Sequence, residues 1–220
     1  MNFPKRLIDG YNAFSDSRLQ KEQDRYRQLA EQGQKPQIMV IGCCDSRVSP
    51  EVIFDSSPGE LFVVRNVANI VPPYAPDGQA HGVSAALEFG VAALKVEHIV
   101  VLGHAHCGGV RAYAEDAEPL SPGDFIGKWM KLMTPAAEKV GPRGPLSAAA
   151  YLTKLEQANV VNSLDNLMTF PRLSKRIERG QVNLHGAYFG VATGDLSVLD
   201  PATGEFRSIA RAGAGAPPRF

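Results

Sequence analysis

Three short apolar runs, QIMVIGC (37–43), LFVVRN (61–66) and EHIVVLGH (97–104), constrain the fold of this chain more than any other feature. Each is too short for an ordinary helix, is rich in β-branched residues, and is apolar at consecutive positions, as strands buried on both faces are. Between the second and third lies the Ala-rich stretch GQAHGVSAALEFGVAALK (78–95), with apolar residues at helical spacing, and GGVRAYAEDA opens another helix after the third. Residues 120–145 are rich in proline and glycine and read as broken helix and loop. Residues 147–179 return to helix with a break at FPR, and QVNLHGAYFGVATGDLSVLD (181–200) reads as a strand pair around the turn TGD. The alternation predicts a single α/β domain over residues 1–220 with a mainly parallel central β-sheet flanked by helices and a carboxyl-terminal antiparallel edge strand. Within it, 1–32 form a helical arm with Leu7, Tyr11, Phe14, Leu19, Tyr26 and Leu29 as apolar anchors, 37–200 the α/β core, and 201–220 a tail.

Composition narrows the classes of function. The formal net charge is zero, so no global field favours nucleic acid, an anionic membrane or an acidic substrate. No run approaches the roughly 18 apolar residues of a membrane span, and the start, MNFPKRLIDGYNAFSDS, lacks the apolar core of a signal peptide. A cytoplasmic protein is expected. Three cysteines are too few for a secreted disulfide framework and, in a reducing compartment, are buried, metal-binding or catalytic.

Two unusual stretches follow strands at their carboxyl ends, where open α/β sheets place ligands: GCCDSR (42–47) and GHAHCGG (103–109). The second offers His104 and Cys107 at i and i+3. One cysteine from the first completes a Cys2His set, the donor set of a catalytic zinc site with an open fourth position. Each stretch alone reads as readily as a satisfied histidine and a buried thiol. Strand alternation groups Cys43 with Asp45 and Arg47, leaving Cys44 on the other side as a small buried side chain. A disulfide between adjacent cysteines is discounted, since disulfides hold their Cα atoms about 4.4–6.8 Å apart in a relaxed geometry. Asp45 and Arg47 are either an ion pair closing a turn or, beside a metal, a carboxylate held by a guanidinium fork. His106 points away from the set, and His81, His98 and His185 read as surface or packing histidines.

Together CCDSRV and GHAHCGG resemble the β-class carbonic anhydrases, whose pattern is C-x-D-S-R followed about sixty residues later by H-x-x-C-G-G. The resemblance runs through PGELFVVRNVAN (58–69) to LHGAYFGVATGDL (184–196). It implies Cys43, His104 and Cys107 as ligands of Zn2+ and Asp45 and Arg47 as the catalytic dyad. It further implies a substrate pocket of Gln34, Phe62, Val67 and Phe89, with the backbone at Gly108 receiving the product; core packing is the plainer reading of the three apolar side chains. Phe89 stands where a tyrosine is common. A branch of the family has a bicarbonate pocket of tryptophan, arginine and tyrosine. Here Val40 and Phe189 replace the first and last, and Arg65 matches the arginine, which implies the plant-like, open branch. The activity implied is reversible hydration of carbon dioxide to bicarbonate and a proton, by zinc-bound hydroxide oriented by the dyad. The assembly implied is a homodimer or higher oligomer with pocket residues shared across the interface. The rival readings are a carbonyl sulfide or carbon disulfide hydrolase, a non-catalytic zinc protein with Asp45 as fourth ligand, and a thiol redox protein using Cys43 and Cys44.

Overall fold

A computed structural model describes residues 2–209. Met1 of the expected arm and residues 210–220 of the expected tail lie outside the described residues. The arm is two helices, α1 (Lys5–Asp16) and α2 (Arg18–Gln32), the second stopped by Gly33 at φ 78°, a conformation that glycine adopts without penalty. The core follows as β1 (Ile38–Cys43), α3 (Pro50–Ile53), β2 (Leu61–Asn66), α4 (Gly82–Glu88), β3 (His98–His104) and α5 (Gly108–Ala114). The Pro-rich segment holds α6 (Phe125–Met130) and α7 (Thr134–Val140). The long α8 (Ala148–Met168) starts at Ser147, whose hydroxyl accepts the Ala150 N–H, and the FPR break restarts as α9 (Pro171–Glu178). Then come β4 (Asn183–Phe189), β5 (Leu196–Asp200) and β6 (Glu205–Ser208).

The strands form one six-stranded sheet in the order β2-β1-β3-β4-β5-β6. The first four run parallel, and β5 and β6 add antiparallel at one edge. Part of the stretch expected as tail, 205–208, is therefore the outermost strand. Its partner β5 presents an open edge after the DPATG turn, and a second hairpin satisfies those backbone groups.

The period-2 alternation of the strands divides their side chains between two unlike faces. Met39, Ile41, Ile99 and Val101 point into a core completed by Leu87, Val160, Leu167 and Leu173 from the helices. On the other face Val40 and Leu102 are buried, but Ile38, Leu61, Val63 and Val100 are only partly covered. The arm is similarly exposed: no residue of α1 or α2 is buried, and Leu7, Ile8 and Tyr11 face solvent. No helix among the described residues is long and apolar enough to cross a membrane.

Helix α8 rides close on β3. A Cβ added at Gly103 would fall 2.5 Å from Cγ2 of Val160, so the glycine sets the separation of helix and sheet. Gly103→Ala is expected to destabilise the fold by about 1–3 kcal/mol through overpacking, read as a lowered thermal midpoint at fixed protein concentration. Adding Val160→Ala should recover part of that loss, and losses that simply add would refute this account of the contact.

Candidate metal centre

Cys43 ends β1 and His104 ends β3, and these strands are hydrogen-bonded parallel neighbours with Gly42 opposite Leu102. Continued one step, that register sets Cys43 beside Gly103 with His104 one residue further on, so the two donors sit at adjoining strand ends and converge just beyond the sheet. After His104 the chain reverses through Ala105 and His106, the latter in the left-handed region at φ 58°, and returns Cys107 as the residue preceding α5. One donor atom each from Cys43, His104 and Cys107 lies within 4.8 Å of the others. The three residues are 4%, 1% and 2% exposed, so water does not satisfy them. Nδ1 of His104 lies 2.9 Å from the Ala105 carbonyl, to which it donates, which leaves the lone pair on Nε2. That Nε2 is buried and has no hydrogen-bond partner among the described residues. A buried nitrogen without a partner, facing two thiols, is what a metal site presents when its ligands are read without the ion.

The thiols share protons unequally. The adjacent Cys107 thiol, the His104 ring and the backbone N–H of Ala68 (3.3 Å from Sγ) lower the Cys43 thiol to about 4, against the opposing effect of burial. Cys107, beside that thiolate and buried, is pushed up. Two thiolates and a neutral imidazole would balance the charge of Zn2+, and this soft donor set favours zinc over magnesium or calcium.

Asp45 stands next to the cluster but is not one of its donors. Arg47 holds both of its oxygens: Nε donates to Oδ1 at 2.9 Å, Nη2 to Oδ2 at 2.7 Å, and the Arg47 backbone N–H to Oδ1 at 3.0 Å. Arg47 Nη2 is itself fixed by the carbonyl of His106 at 3.0 Å. These bonds from Arg47, led by its side chain, hold the Asp45 carboxyl well below the usual carboxylate range. Arg65 braces the same turn from β2, donating to the carbonyls of Cys43 (2.9 Å) and Asp45 (2.7 Å).

A row of polar side chains on α8 fastens the loop that carries Cys107 and the loop that contacts Cys43. Glu156, 3% exposed, accepts the Cys107 N–H at 2.9 Å and the Tyr188 hydroxyl at 2.6 Å. Asn159 donates to the carbonyl of Ala68, and Ser163 donates to Asn69 and accepts from Val71. Ala68 and Asn69 are non-glycine residues at φ 63° and 48°, so this loop is held in a conformation it would not adopt unaided. Ala68 in turn presents its N–H to Cys43 Sγ.

A family model described as carbonic anhydrase matches residues 38–196, which span every element carrying this cluster. The chain belongs to the carbonic anhydrase family, in its β class. It is accordingly an enzyme of the carbonate dehydratase type, a lyase. A carbonic anhydrase of Pseudomonas aeruginosa is 38% identical over 93% of this chain and 91% of its own length. Beta carbonic anhydrase 3 of Arabidopsis thaliana is 36% identical over 89% of this chain and 77% of its own length. Among solved structures, the β-carbonic anhydrase CcaA superposes with a TM-score of 0.87 at 31% identity, over 94% of this chain and 92% of that one.

The expected pocket residues divide into two groups. Val67 directly precedes Ala68, and Gly108 directly follows Cys107, so both border the cluster. Phe62 pairs with Met39, four residues before Cys43, which puts it about 13 Å down the strand. Phe89 packs against Phe62 at a ring separation of 6.0 Å and is half exposed, and Gln34 is exposed just ahead of β1. These three are not brought to the cluster within one chain.

Cys44 corrects the sequence reading: it is exposed, not buried. β1 ends at Cys43, and Cys44 is the first residue of the turn beyond it, its N–H donating to the carbonyl of Asn66. For the same reason Asp45 and Arg47 meet through a turn and not through strand alternation. His106 is exposed and outside the cluster, as expected. His81 lies 2.7 Å from Asp77, and His98 faces His185 at 3.1 Å across β3 and β4. The α8 polar row was not read from the sequence; its signal is Glu156, Asn159, Ser163 and Asn166 at helical spacing among apolar neighbours.

Cys43→Ser protein is expected to lose bound zinc, and Cys44→Ser to keep about one zinc per chain, as read by metal analysis after gel filtration. Equal zinc loss in both variants would contradict the assignment.

Proposed function

We propose that this protein catalyses the zinc-dependent, reversible hydration of carbon dioxide to bicarbonate and a proton. The observation that carries the proposal is the buried Cys43–His104–Cys107 triad lying beside a carboxylate whose two oxygens are both held by Arg47. Zinc bound there would supply a Lewis acid able to ionise water near neutral pH. Asp45 accepts a hydrogen bond from the attacking oxygen and turns its lone pair toward the carbon of carbon dioxide. Arg47, anchored on the His106 carbonyl, keeps that carboxylate off the ion. Val67 offers an apolar wall to an uncharged substrate, and the backbone at Gly108, where a Cβ would meet nothing within 4 Å, leaves room for bicarbonate.

The remaining pocket residues, Gln34, Phe62 and Phe89, serve the cluster of a second copy in a homodimer. Support comes from the unburied arm, from the thinly covered sheet face, and from related β-carbonic anhydrases of Sordaria macrospora described as tetrameric, 29% identical with a TM-score of 0.76. Two further features favour the open, plant-like branch. Arg65 is committed to two backbone carbonyls, and Val40 and Phe189 lack the polar groups of a bicarbonate pocket. Three free cysteines fit a cytoplasmic setting.

Stopped-flow hydration on protein of known zinc content tests the proposal. Turnover should rise between about pH 6.5 and pH 9. Asp45 stays ionised throughout that range, since its carboxyl lies below the usual carboxylate range, so the rise is not its titration. Asp45→Asn should lower kcat by roughly 10–100-fold with zinc retained. Fully zinc-loaded protein without turnover at any pH would overturn the proposal.

A further inference from the structure

At the end of the sheet away from the cluster, two cavities meet. One, of about 640 Å³, opens beside the amino ends of β3 and β4 and is walled by Lys95, Glu97, Arg172, Arg176, Gln181 and Asn183. The other, of about 270 Å³, is lined by Tyr74, Leu87, Phe170 and Leu173. Val91 and Arg172 border both. The seven residues of β3 separate this region from His104 by about 20 Å.

None of Lys95, Arg172 and Arg176 has an ion-pair partner among the described residues. Arg172 and Arg176 sit one turn apart on α9 and so share a face. Arg176 is pinned by donating to the Val91 carbonyl, while its Nε is buried without a hydrogen-bond partner. Lys95 closes a π-helical turn in the left-handed region at φ 59°. Glu97 and Glu88 border the two cavities, so three cations stand against two carboxylates. In the smaller cavity the Tyr74 and Phe170 rings meet edge to face at 5.4 Å.

We propose that the joined cavities bind an organic oxyanion, a phosphate monoester being the best-matched class. Its charged group is held by Arg172, Arg176 and Lys95, since guanidinium forks match the geometry of phosphate oxygens. Its apolar body enters the smaller cavity against Tyr74, Leu87 and Phe170. Inorganic phosphate fills only the charged half. The site is independent of the zinc chemistry.

Calorimetric titration of zinc-loaded, full-length protein with phenyl phosphate and with inorganic phosphate tests this. Phenyl phosphate should bind saturably, once per chain, and at least about tenfold more tightly than inorganic phosphate, from burial of the ring. Arg172→Ala and Lys95→Ala, both at exposed positions, should each weaken phenyl phosphate by about tenfold and leave carbon dioxide hydration unchanged. No saturable binding, equal affinity for the two anions, or binding indifferent to Arg172→Ala, as for an anion held at the metal centre, would each overturn the proposal.

Discussion

Parallel hydrogen bonding of β1 to β3 carries Cys43 and His104 out of the sheet as neighbours, and the metal centre depends on that register. Side chains alternate between faces, so a slip of one residue in either strand would turn one donor to the wrong side. The register is secured by burial: a slip of β1 would take Met39 and Ile41 out of the core, and a slip of β3 would take out Ile99 and Val101. The third donor comes from the chain reversal after β3. Cys107 is therefore local to His104, while Cys43 is sixty residues distant in sequence and reaches the cluster only through the sheet.

Around those donors, polar groups hold backbone that would not hold itself. Helix α8 reaches the loop that carries Cys107 and the loop that donates to Cys43, taking the Cys107 N–H on Glu156 and the Ala68 carbonyl on Asn159. Buried polar side chains of this kind are costly when unpaired, so each bond also restricts which arrangement of the loops is tolerated. On the solvent side Arg47 and Arg65 close the turn after β1. The centre is thus braced from beneath by a helix and from above by two guanidinium groups. That bracing supports a preassembled site, in which the donors need little movement to meet an ion.

How much of this was legible depended on whether the information was local. The strands, the helices and the parallel sheet followed from apolar runs and turn residues, and the pairing of GCCDSR with GHAHCGG followed from two strand ends. The exposure of Cys44 was missed because strand alternation was carried one residue too far; the strand stops at Cys43. The outer strand 205–208 was missed because EFRS is short, polar and given a partner only by β5. The α8 row was missed because Glu156 and Asn159 look like an ordinary helix surface until the loops they hold are in place. The position of Phe62, far from the cluster in one chain, is a property of the β1–β2 register, and Phe89 shares it by packing on Phe62, not by any motif.

The central claim is that Cys43, His104 and Cys107 alone among the protein's side chains hold the zinc, with Asp45 kept on Arg47. A crystal structure of zinc-loaded protein near neutral pH, with an anomalous map at the zinc edge, tests it most directly. The account predicts one zinc per chain bound by those three residues, a non-protein fourth ligand, and the Asp45–Arg47 fork intact. Asp45 swung off Arg47 onto the ion, or Cys44 in place of Cys43, would contradict it.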